Sequence, residues 1–137
     1  MREPSSLDLH FLVREWQSLV GARFDKAYQA DRGAKRELLL SFHKTGEGKR
    51  FLRILLPGFA YLARAKGAYP MIPPGFTMFL RKRLSGARVA AVEQLGCDRV
   101  FTIGFIAKRG EEEEATKLIV ELLAPGNVVV KPGGIIG

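Results

Sequence analysis

Cysteine is nearly absent from this chain: Cys97 stands alone among 137 residues. An internal disulfide is excluded, and a reducing setting fits the composition. Histidine is almost as scarce, at His10 and His43. No CxxC or HxxxH spacing assembles metal ligands, so neither a metal nor another cofactor is expected. No GxSxG nucleophile elbow occurs, and neither GAKR nor TGEGK fits a phosphate-cradling glycine loop. No apolar run approaches the roughly 20 residues of a membrane span. The opening MREPSSLDLH lacks the apolar stretch of a secretory signal. A cytoplasmic protein with no membrane partner is expected.

Acids are also in short supply. Lys and Arg number 22 against 14 Asp and Glu, for a net charge of +8 and a pI near 10.0. The glutamates at 111–114 supply four of those negative charges, and removing them leaves +12. Such a surface suits a polyanion, with RNA or DNA foremost. The plain alternative is a basic but inert surface of the charge-rich kind.

What is present reads as a single α+β domain, mostly antiparallel β-sheets or a sandwich, with two main helices. Ser5-Ser6-Leu7-Asp8 is a helix-start signal. Leu7, Phe11, Leu12, Trp16, Leu19 and Val20 follow at helical spacing, and Gly21 ends the run. ARFDKAY then alternates like a strand, and QADRGAKR reads as a polar linker. ELLLSFH and RFLRILL form a hairpin around KTGEGK, and AYLAR is a further short strand. Prolines 70, 73 and 74 break the next stretch. A second helix should bury Phe76, Phe79, Leu80 and Leu84 before Ser85-Gly86. ARVAAVEQL, RVFTIGFIA, KLIVELLA and NVVVK read as four more strands, joined in part by AKRGEEEEAT, a solvated hairpin loop, and by PGN, a tight turn. Ile135 and Ile136 look like the start of another strand, which suggests a fragment of a longer protein. Hairpin-length connections demand antiparallel pairing.

Two places combine charge with a defined local shape. In LGCDRV, Asp98 and Arg99 stand between two apolar runs, as a hairpin turn or as a site. Arg81, Lys82 and Arg83 spread over the exposed arc of the second helix near its C-terminus, with Arg88 close by. Cations there offset the helix dipole, and the same residue types bind phosphate. Tyr28, Tyr61 and Tyr69 are freer than the phenylalanines to stack on a base.

The order of segments resembles the N-terminal domain of the NFACT family, the ribosome-associated quality-control factors also called fibronectin-binding-like proteins. The segments are SSLDLHFLVREWQSLVGARFDKAYQ, RELLLSF, PPGFTMFLRKRLSGARVAAVEQLGCDRVFTIGF and LIVELLAPGNVVV. FLRKRLSGARV, EQLGCDRV and LIVELLAPGN are the most specific pieces. The resemblance implies binding to a large ribosomal subunit that still holds peptidyl-tRNA, recruitment of tRNA, and template-free C-terminal tailing of the stalled chain. It places the family's Asp-Arg signature on Asp98 and Arg99, and a fold like the N-terminal domain of formamidopyrimidine-type DNA glycosylases.

RNA contacts are accordingly expected at Asp98, Arg99, Arg81, Lys82, Arg83 and Arg88, with no catalytic residue and the oligomeric state open. The alternatives are a glycosylase-like nucleic-acid-binding domain without lyase activity, or a protein-interaction module of the fibronectin-binding type. Met1-Arg2-Glu3-Pro4 offers no proline amine on removal of Met1, so the lyase nucleophile is missing. The family's helix-hairpin-helix, coiled-coil and second conserved regions are not in this sequence.

Overall fold

A computed structural model describes residues 6–32, 35–67, 69, 75–96 and 98–136. Helix α1 (Ser6–Glu15) runs into a 3₁₀ turn, Trp16–Leu19, and the first four strands follow: β1 (Arg23–Arg32), β2 (Lys35–Lys44), β3 (Gly48–Leu56) and β4 (Phe59–Ala63). Helix α2 (Gly75–Arg83) leads to β5 (Arg88–Gln94), β6 (Val100–Arg109), β7 (Glu112–Glu121) and β8 (Asn127–Ile136). The expected α+β class with antiparallel strands and two helices is what the structure shows. The strands form one eight-stranded sheet, ordered β4-β3-β2-β1-β5-β6-β7-β8, rather than separate sheets.

That sheet is two four-stranded meanders sharing a corner. At the corner β1 and β5 begin side by side, with Arg23 opposite Arg88. Phe24 N–H donates to Ala87 O at 2.9 Å and Val89 N–H to Ala22 O at 2.9 Å. The meanders fold over one another and meet again at the far end, where Gly58 N–H donates to Leu122 O at 3.1 Å. The approach is close enough to require glycine at 126. A Cβ there would lie 3.0 Å from Leu56 Cβ and 3.1 Å from Pro57 Cα, and φ is +82°.

One apolar core fills the fold between the meanders. Phe24, Phe42 and Phe105, on β1, β2 and β6, form a triangle with ring centroids 6.2–6.4 Å apart, within the range for favourable ring pairs. Trp16 lies fully buried with its ring 4.8 Å from that of Phe101. Gln17 ties the 3₁₀ turn to the sheet, its Nε2 donating to Val92 O at 2.7 Å.

Several expectations from sequence need correction. QADRGAKR is not a linker: its residues up to Arg32 and from Lys35 extend β1 and β2, and Arg32 pairs with Lys35. AKRGEEEEAT does form the hairpin connection, but its residues up to Arg109 and from Glu112 extend β6 and β7, leaving Gly110 and Glu111 in the turn. Lys108 faces Glu113 and Arg109 faces Glu112 across β6 and β7, so opposite charges accompany the pairing. Ile135 and Ile136 do not start an unpaired strand; they end β8, opposite Glu114 and Glu113. In α1 the buried stripe is Leu9, Val13 and Trp16, while Leu7 and Phe11 are 62% and 58% exposed. In α2, Thr77 and Leu80 face the core, as does Leu84 just past its end, while Phe76 is half-buried and Phe79 is 51% exposed. Most of the expected stripe is covered, with Trp16, Leu19, Leu80 and Leu84 buried and Leu12, Val20 and Phe76 packed against the core; only Leu7, Phe11 and Phe79 turn outward.

Candidate nucleic-acid interface

LGCDRV is the β5–β6 connection. Gly96 sits at φ +58°, a conformation that favours glycine. Leu95 N–H donates to Val100 O at 2.9 Å, and Asp98 N–H to Leu95 O at 3.2 Å. Gln94 Nε2 donates to Asp98 O at 2.8 Å. These bonds use the main chain of Asp98, and its side chain is exposed. Arg99 is half-buried, and its carbonyl accepts Leu122 N–H at 3.0 Å. Cys97, expected as a turn filler, lies outside the described residues.

The Arg99–Leu122–Gly58 relay places the Asp98-Arg99 loop at the far end, beside the β3–β4 and β7–β8 turns. Lys35 joins this end, its Nζ donating to Pro57 O at 2.6 Å. Arg36 follows it, exposed and opposite Leu56. Sequence reading missed both residues because QADRGAKR looked like a linker. Its glycine, between two alternating stretches, was the available hairpin signal.

The other expected RNA contacts are elsewhere. Arg88 opens β5 at the corner and is exposed. Its strand has seven residues, so the Asp98-Arg99 loop starts roughly 20 Å away at about 3.3 Å per residue. Arg81 reaches inward: its Nε donates to Ala27 O at 2.9 Å, and its guanidinium sits 5.1 Å from the Tyr28 ring centre. Arg83 pairs with Glu114 at 2.7 Å. Lys82 is exposed. Arg109, also missed, donates to Ser85 O at 2.9 Å and Arg83 O at 3.0 Å, placing a cation on the carbonyl end of α2. The six expected contacts are thus not one cluster: Asp98 and Arg99 lie at the far end, Lys82, Arg83 and Arg88 at or near the corner, and Arg81, Arg83 and Arg99 all make contacts within the protein.

The tyrosines are engaged as well, on the outer face of the first meander. Tyr69 donates its hydroxyl hydrogen bond to the Glu37 carboxylate, which also lies 3.7 Å from Arg53 Nε. Arg53 donates to the Tyr61 hydroxyl at 3.1 Å. Tyr28 packs against Tyr69, with centroids 5.4 Å apart, and against the Lys66 ammonium at 4.4 Å. Burial, then the Glu37 carboxylate, push the Tyr69 hydroxyl far above its ordinary pKa of 10.0. A pKa raised on folding contributes stability that is intact below the unfolded value and lost as pH climbs past it. Urea unfolding from neutral pH to above pH 10 should therefore show the stability difference between wild type and Tyr69→Phe shrinking on the alkaline limb. A constant difference would rule out this linkage.

Among the described residues no group of three or more His, Cys, Asp or Glu side chains is placed to hold a metal. No described helix is long and apolar enough to cross a membrane.

Comparison with known proteins converges on one family. The family profile described as NFACT N-terminal and middle domains matches residues 5–131. The archaeal Rqc2 homolog aRqcH of Methanocaldococcus jannaschii is 35% identical over 129 residues, covering 93% of this chain and 19% of that protein. The human ribosome quality control complex subunit NEMF is 32% identical over 129 residues, covering 92% of this chain and 11% of its own length. In structure, the chain is similar to the N-terminal domain of fibronectin-binding protein PavA from Streptococcus pneumoniae. The TM-score is 0.81 at 27% identity, over 93% of this chain and 51% of that one. The chain spans about a fifth or less of those full-length relatives. By its segment order, its fold and the extent of these matches, it belongs to the NFACT family.

Proposed function

We propose that this domain is the RNA-binding module of a cytoplasmic ribosome quality control factor. It engages tRNA on a large ribosomal subunit that still holds peptidyl-tRNA, and it supports template-free C-terminal tailing of the stalled chain. The observation that carries this reading is the Asp98-Arg99 loop. Its main chain is braced by bonds from Gln94 and Leu122, and its acid and arginine stand at the end where Lys35 and Arg36 gather. Arginine offers a planar fork of donors for phosphate or base edges. Aspartate accepts from a base amino group or a ribose 2′-hydroxyl. Relatives named as ribosome quality control factors support the role. Its work is binding rather than catalysis. A kinship in shape with glycosylase N-terminal domains fits the β-rich architecture and adds no nucleophile to it.

Salt dependence tests the reading. With about four phosphate contacts, tRNA affinity should fall roughly 50- to 150-fold between about 50 and 200 mM salt. Equilibrium binding of labelled tRNA at several salt concentrations measures the slope. A flat response would favour the second reading, a protein-interaction module docking through apolar surface such as the exposed Leu7 and Phe11 of α1.

A further inference from the structure

At the corner end, a cleft of about 340 Å³ opens between α2 and the β6–β7 hairpin, lined by Phe79, Lys82, Arg83, Arg109 and Glu114. Its volume lies at the lower end of the range for small-molecule sites. Two features need an explanation. Phe79 is 51% exposed although large apolar side chains on helices usually pack inward. The lining also holds three cations against one carboxylate, for a net +2. A helix C-terminus normally repels anions. Here the Arg109 guanidinium covers the carbonyls of Arg83 and Ser85, and Glu114 is neutralised by Arg83 at 2.7 Å. Lys82, exposed next to Phe79, adds a flexible charge at the rim.

We propose that this cleft binds one nucleotide unit, its base stacked on the Phe79 ring and its phosphate held by Lys82 and Arg109. A planar ring beside a cation cluster is the pairing that holds unpaired nucleotides, because every base has a π-face and every nucleotide an anionic group. Charge alone would satisfy any anion, and an exposed ring alone any apolar surface; together in one cleft they select a nucleotide. The proposal rests on the RNA-binding reading for its source, an unpaired nucleotide of the bound RNA. A free mononucleotide offers the same chemistry.

The test is a titration with adenosine monophosphate, with inorganic phosphate and with tRNA, followed by nuclear magnetic resonance for the small probes and by equilibrium binding for tRNA. Adenosine monophosphate should shift the Phe79 ring and Lys82 signals, and Phe79→Ala should abolish the effect. The same variant should weaken tRNA binding at least about fivefold, the low end for loss of one stacked base. Phe79 is exposed, so the variant should fold, and its thermal unfolding checks this. Adenosine monophosphate bound through Phe79 without any tRNA binding would keep the cleft as a site for a free nucleotide and sink the RNA reading. Wild-type tRNA binding unaffected by Phe79→Ala, with no response to adenosine monophosphate, would overturn the cleft and leave the RNA reading standing. Equal responses to phosphate and adenosine monophosphate, both independent of Phe79, would overturn it too, as a plain anion patch.

Discussion

Replacing Asp98 and Arg99 together by alanine should weaken tRNA binding at least about a hundredfold, since each charged hydrogen bond lost is worth about 1.5–3 kcal/mol. Asp98→Ala alone should barely move the melting temperature, and thermal unfolding of the double variant checks that it folds. Main-chain atoms of Leu95, Asp98, Arg99 and Val100 close the loop, and the Gln94 bond goes to a carbonyl; alanine retains all of these groups. The Asp98 side chain is exposed, and exposed substitutions usually change stability by less than about 0.5 kcal/mol. Arg99→Lys refines the result. If the guanidinium fork is the recognition element, lysine keeps the charge and still loses most of the affinity. If only charge matters, Arg99→Lys binds nearly as well as wild type. Full tRNA binding by the folded double variant would refute the role of this loop.

The division of the basic residues between two ends bears on what kind of RNA this domain suits. Lys35, Arg36 and Arg99 stand at the far end, and Lys82, Arg88 and Arg109 at or near the corner. The length of β5 alone separates them by roughly 20 Å. A ligand that engages both must be a polyanion of at least that span, a size that tRNA exceeds and a short oligonucleotide chain meets only when extended. Folding the sheet over itself is what creates the two ends.

Much of this was legible in the sequence wherever the signal was local. The alternation of ARFDKAY, the glycines of KTGEGK and the Asp-Arg pair in its turn all mark features that depend on a few neighbouring residues; the prolines at 70, 73 and 74 lie outside the described residues. The errors arose where a distant partner decides the outcome. Glu112 and Glu113 read as part of a loop run, yet they pair in register with Arg109 and Lys108 as the first residues of β7. Leu7 and Phe11 fit a helical stripe as well as Leu9 and Val13 do, and only the sheet selects which stripe is covered. Arg81 reads as a surface cation, yet Ala27 O and the Tyr28 ring draw it inward. The neighbourhood of Asp98-Arg99 depends on Gly58, Leu122 and Gly126 meeting across the fold, and no periodicity carries that.

Trp16 offers the sharpest test of the core. Trp16→Ala should destabilise the domain by about 3–5 kcal/mol, the range for deleting a large buried aromatic. That is a large share of the 5–15 kcal/mol typical of a whole domain, so the variant should be partly unfolded at physiological temperature. Trp16→Phe should behave differently. The indole Nε1 is buried and has no hydrogen-bond partner among the described residues, and an unsatisfied buried donor costs about 1–3 kcal/mol. Phenylalanine removes that donor, keeps a ring against Phe101, and leaves a smaller void than alanine. The two terms oppose, so Trp16→Phe should cost clearly less than Trp16→Ala. Chemical denaturation of the three proteins by circular dichroism measures both differences. A phenylalanine variant as unstable as the alanine one would show that the indole makes a hydrogen bond the core depends on.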